Sequence, residues 1–63
     1  MDVRAVMTAD PEACLPTDSC AAAGAIMLRR NCGFVPVIEN LVAKRVIGVV
    51  TDRDLLLHLV QTD

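Results

Sequence analysis

Thr51 and Asp54 stand three residues apart where the apolar run of GVVTDRDLLLHLV, residues 48–60, turns from strand-like to helix-like. A hydroxyl and a carboxylate at that spacing can do ligand chemistry. A helix N-terminus offers free N–H groups and a positive dipole end, which favour phosphate, and the Thr51 hydroxyl adds one donor. A carboxylate one turn along accepts two hydrogen bonds from the vicinal hydroxyls of a ribose. Phosphate on Thr51 and ribose on Asp54 together describe a nucleotide. Gly48, three residues earlier, has no side chain to bar a close approach. The same residues also make an ordinary helix start. Thr51 caps, Asp54 answers it as in a capping box, and Asp52 and Asp54 suit the positive helix end. The local sequence leaves cap and ligand site both open.

Other reactive side chains point to less. Cys14, Cys20 and Cys32 are odd in number and contain no C-x-x-C pair, which speaks against a disulfide framework or a zinc site. They read as small, buried, reduced core residues in a cytoplasmic setting. Cys32 becomes redox-sensitive only beside a cation. His58, the sole histidine, reads as a partly exposed helix residue, since no second ligand or nucleophile stands near it. Met7 and Met27 read as core, and Arg29-Arg30 as solvated, with phosphate contact as the lesser alternative. There is no nucleophile–base pair or metal cluster, so the chain is not expected to be an enzyme and requires no cofactor.

The elements that position these residues follow from pattern and punctuation. Residues 1–12 form a lead-in segment, with Val3, Val6 and Met7 on one short helical turn that Asp10-Pro11 ends. Ala13-Cys14-Leu15 is a brief strand stopped at Pro16. Thr17-Asp18-Ser19 is a cluster of capping residues, and a helix follows from about Ser19 to Arg30 with Cys20, Ala23, Ile26 and Met27 as its buried stripe. Gly24 inside it costs about 1 kcal/mol relative to alanine, a cost that close packing can offset. Asn31 and Gly33 end the helix, and Arg29-Arg30 suit its negative end.

Phe34 to Ile38 is a second strand, in which Pro36 removes one ladder donor and so marks an edge or irregularity. Residues 39–43 turn, and Lys44 to Val50 return as a third strand in a hairpin. Val46, Ile47, Val49 and Val50 are apolar enough to be covered on both faces. A last helix spans about Asp52 to Gln61, with Leu55, Leu56, Leu59 and Val60 as its core face and Leu57 widening it. The order β-α-β-β-α gives an α/β fold: a small three-stranded sheet packed on two helices, in one domain over residues 1–63, with residues 13–63 as the folded unit.

Composition bounds the partners. The chain has 63 residues, 54% of them hydrophobic, with Phe34 the only aromatic. A domain of this size buries only about 60% of its unfolded surface. Surplus aliphatic residues on such a chain call for a partner surface. A formal charge of −2 without a basic run argues against nucleic acid, and no run is long enough for a membrane helix.

Four stretches taken together resemble a known family. Val6-Met7-Thr8, Pro16-Thr17-Asp18-Ser19 before an alanine-rich helix, Gly33-Phe34-Val35-Pro36-Val37-Ile38, and Gly48-Val49-Val50-Thr51-Asp52-Arg53-Asp54-Leu55 occur in the order of a cystathionine-β-synthase-type (CBS) domain. The resemblance covers nearly the whole chain. It implies one repeat of a tandem (Bateman) module, a regulatory unit paired with a second CBS domain, either another copy of this chain or part of a longer protein. It also implies an adenosine-type ligand (AMP, ATP or S-adenosylmethionine) in the cleft between the two. By position, Thr51 meets phosphate or ribose, and Asp54 the ribose hydroxyls. Residues near Met7, Glu12 and Ala13 line the adenine, and Cys32, Gly33 and Phe34 form the other wall. Some family members place a basic residue near the Phe34 position, and this chain has none there. The alternative reading is a structural dimerisation domain without a small-molecule ligand.

Overall fold

The computed structural model describes residues 1–62. A 3-10 turn at Val3–Ala5 leads in. Then come helix α1 (Cys20–Arg30), strands β1 (Phe34–Ile38) and β2 (Val46–Thr51), and helix α2 (Asp52–Thr62). The Ser19 hydroxyl accepts from the Ala22 N–H at 3.0 Å, so Ser19 caps α1, while the Asp18 carboxylate holds the preceding turn through the Leu15 N–H at 2.8 Å. Asn31 ends α1 in the left-handed region, φ 51°, which asparagine tolerates better than most residues. Gly33 shares none of that work, since no glycine has positive φ among the described residues.

β1 and β2 form an antiparallel hairpin with Phe34 opposite Thr51 and Val35 opposite Val50. Asn40 shapes the turn, its side-chain oxygen accepting from the N–H groups of Val42 and Ala43. Lys44 adopts φ 53°, and the Glu39 N–H donates to Arg45 O at 2.8 Å. The returning strand therefore begins at Val46 rather than at Lys44. Val37 faces Gly48 and Ile38 faces Val46, which leaves Ile47 as a bulge residue.

The expected third strand is not formed. Ala13-Cys14-Leu15 contributes a single parallel bridge, Cys14 to Val37. Its two hydrogen bonds run from the Cys14 N–H to Pro36 O (3.0 Å) and from the Ile38 N–H to Cys14 O (2.9 Å). A parallel ladder continues through every second residue, so the next donors on either side would be residues 36 and 16. Both are proline and have no N–H. Two prolines thus trim the strand to one residue, and the sheet has two strands.

The core gathers on one face of the hairpin. Val35 is fully buried, packed with Cys14, Ile26 and Met27, and Val37, Val50 and Leu55 close around them. Several residues expected inside lie outside. Cys20 is exposed, so the buried stripe of α1 is Ala23, Ile26 and Met27. Cys32 and Met7 are exposed, so of the three cysteines only Cys14 is core. β2 is not covered on both faces: Val46, Ile47 and Val49 are exposed. Among the described residues of α2 only Leu55 is partly buried, while Leu56, Leu57, Leu59 and Val60 are exposed. Two strands and two helices cannot enclose this much aliphatic surface. The accessible area is 5123 Å², against about 4,000 Å² for a compact monomer of this mass. The radius of gyration is 12.8 Å, against about 11 Å for a globule of this length.

Two substitutions probe this packing. Val35→Ala removes methyl groups from the centre of the core and should cost about 2 kcal/mol, read as a lower urea midpoint. Gly24→Ala should stabilise by about 1 kcal/mol, because a methyl group there meets only Leu55 Cδ1, at an ordinary contact distance of 3.7 Å.

Candidate functional site

The site is built where β2 hands over to α2. The Asp52 N–H donates to Gly33 O at 2.9 Å, fastening the first residue of α2 to the residue before β1. The approach is close: a Cβ on Gly33 would lie 3.2 Å from Asp52 Oδ2, so the Asp52 carboxylate would have to shift by a few tenths of an ångström. Thr51 and Asp54 then engage each other. The Asp54 N–H donates to Thr51 Oγ1 at 3.1 Å, and the Thr51 N–H donates to Asp54 Oδ2 at 2.8 Å. This is a reciprocal capping box. The Thr51 N–H, foremost, and the Thr51 side chain hold the Asp54 carboxyl below the usual carboxylate range, with Arg53 adding a smaller pull the same way.

The box does not use up either side chain. A threonine hydroxyl has one donor and two acceptor lone pairs, and a carboxylate has about four acceptor sites. Capping takes one lone pair of Oγ1 and one site on Oδ2. The Thr51 hydroxyl is also engaged with the Asp54 carboxylate, so its O–H reaches a ligand only by exchanging that contact, while Asp54 Oδ1 accepts from no described residue's N–H. Cap and ligand site are therefore compatible on the same two residues.

A hollow of about 380 Å³ lies between the lead-in segment, the end of α1 and β1, within the size range of small-molecule sites. The lead-in segment contributes Thr8, Pro11 and Glu12. The end of α1 contributes Ile26, Arg29 and Arg30, and the path into β1 contributes Cys32, Phe34 and Pro36. Arg29 forms an ion pair with Glu12 across the hollow. The Cys32 thiol is directed to Phe34 O at 3.3 Å. Cys14, by contrast, sits in the core, where burial first and the Asp18 carboxylate second push its thiol pKa up.

Of the residues singled out from sequence, Glu12, Cys32 and Phe34 line this hollow. Thr51 and Asp54 do not, but Thr51 is the cross-strand partner of Phe34, so the two share one face of the hairpin. Gly33 backs onto Asp52. Ala13 is partly buried beside Cys14 and Met7 is exposed, and neither lines the hollow. Sequence reasoning preferred solvent for Arg29 and Arg30, with phosphate contact as the lesser alternative, and did not place them as lining. The available signal was their position at the end of α1, immediately before the turn into β1. Among the described residues, no three of His, Cys, Asp or Glu are placed to hold a metal ion, and no helix is long and apolar enough to cross a membrane.

The family model for the CBS domain matches residues 3–61, nearly the whole chain. The chain belongs to the CBS domain family. No curated protein and no solved structure matched it.

The capping box has a pH signature. A carboxyl whose folded pKa lies below its unfolded value stabilises the fold above the unfolded pKa, about 3.9 for aspartate. That contribution falls away as pH drops from there through the lower folded value. Thermal melts of the wild type between pH 6 and 2.5 should show this loss on the acid side, and Asp54→Asn should make the acid limb shallower. Thr51→Val removes the hydroxyl cap and should cost about 1 kcal/mol at neutral pH.

Proposed function

We propose that this chain is a regulatory module that pairs with a second CBS domain and binds an adenosine-type ligand (AMP, ATP or S-adenosylmethionine) between the two. CBS domains are commonly regulatory modules rather than catalytic ones, and they typically pair. The observation that supports the ligand reading is the hollow lined by Glu12, Cys32 and Phe34, with Thr51 as the cross-strand partner of Phe34 and acceptor capacity left on Asp54 Oδ1. The Asp54 carboxylate takes the sugar hydroxyls, the Thr51 O–H donates to the ligand, and Phe34 offers the base an apolar wall. A second domain closes the open side. The surface beyond that of a compact monomer, about 1,100 Å², is comparable to the roughly 800 Å² that each partner buries in a standard interface. Regulation then follows from population shift: a ligand held between two domains favours one relative arrangement, and a host domain reads it.

A second reading has its own support. Thr51 and Asp54 already satisfy each other, as they would in a pairing domain with no ligand. Thermal shift separates the two. Ligand at a hundred times its dissociation constant should stabilise the chain by about 2.7 kcal/mol, and Asp54→Asn should weaken binding markedly while leaving the fold intact. Absence of any shift with AMP, ATP and S-adenosylmethionine, in protein verified as paired, would decide for the structural reading.

A further inference from the structure

The charges around the hollow differ from those of the chain as a whole. The protein carries a formal charge of −2, yet the charged side chains lining the hollow are Glu12, Arg29 and Arg30, a net positive set. Arg29 is already matched by Glu12. Arg30 has no ion-pair partner among the described residues. The opposite side of the site has the reverse sign: Asp52 and Asp54 occupy the first turn of α2 and offset the attraction that its N-terminus would have for an anion. A negatively charged ligand group is therefore drawn away from Thr51 and towards the end of α1.

We propose that Arg30, with Arg29, receives the anionic end of the ligand, and that Glu12, by competing for Arg29, limits how much negative charge the site accepts. This rests on the proposed function and fixes the ligand's direction within it: sugar hydroxyls at Asp54, phosphate at α1. Arginine suits the task because its planar fork binds phosphate oxygens in pairs. It also replaces, from a different element, the basic residue missing at Phe34. In wild type the Arg29 guanidinium is shared with a carboxylate, so each added phosphate gains less than it would from two unmatched arginines. A nucleoside monophosphate is the ligand class that best fits this balance.

The test compares adenosine, AMP and ATP, by calorimetry on the full chain, across wild type, Arg30→Gln and Glu12→Gln. Arg30 is exposed, so its variant should fold, with an unchanged melting temperature as the control. Arg30→Gln should weaken AMP about tenfold, the scale of one charge-assisted contact, and leave adenosine unchanged. It should also flatten the salt dependence of AMP binding. Glu12→Gln should tighten ATP more than AMP, and adenosine not at all. If AMP binds wild type and Arg30→Gln equally, or if Arg30→Gln weakens adenosine as much as AMP, the Arg30 assignment is wrong while the nucleotide reading stands. Equal effects of Glu12→Gln on AMP and ATP overturn the role given to Glu12. If none of the three binds wild type, the nucleotide reading fails and this inference fails with it.

Discussion

One backbone hydrogen bond, from the Asp52 N–H to Gly33 O, decides where the rest of the site lies. It joins the last step of β2 to the residue that leads into β1, so the start of α2 and the end of α1 meet at the same edge of the hairpin. It extends the β1–β2 register, in which Thr51 faces Phe34, by one more hydrogen bond. The contact is close: a Cβ at position 33 would crowd the Asp52 carboxylate.

The chain is short of enclosing elements. Its core closes around Val35 on one face of two strands, and the remaining aliphatic residues of β2 and α2 stay outside. Surface of this kind is costly to leave in water, at roughly 25 cal/mol per Å² of apolar area. A CBS domain within a pair has somewhere to put it. The same half-built character applies to the hollow, which the lead-in segment, the end of α1 and β1 line.

Much of this was legible in the sequence, and the misses have physical causes. The ends of α1 and the bounds of β1 follow from Ser19, Asn31 and the Phe34–Ile38 run, because capping and strand propensity act locally. The capping box was likewise visible as Thr51 and Asp54. The third strand failed because a ladder needs donors at alternate residues, and the register that sets Pro16 and Pro36 against the bridge cannot be read from either stretch alone. Burial of β2 and of the α2 face was overestimated because an apolar pattern records what must be covered, not which chain covers it. Arg29 and Arg30 were assigned to solvent because the ion pair to Glu12 links positions 17 residues apart. The family resemblance located the glycine, proline and threonine signals, but these two arginines lie outside its motifs.

The single bridge at Cys14 has a mechanical meaning. Thr8, Pro11 and Glu12 form one wall of the hollow, yet they reach the sheet through one clasp of two backbone hydrogen bonds. A full strand would weld that wall to the hairpin along its length. A clasp fixes it to the hairpin at Cys14 alone, whose side chain is buried, so the rest of that wall is held from the other side, by the Glu12–Arg29 ion pair to α1.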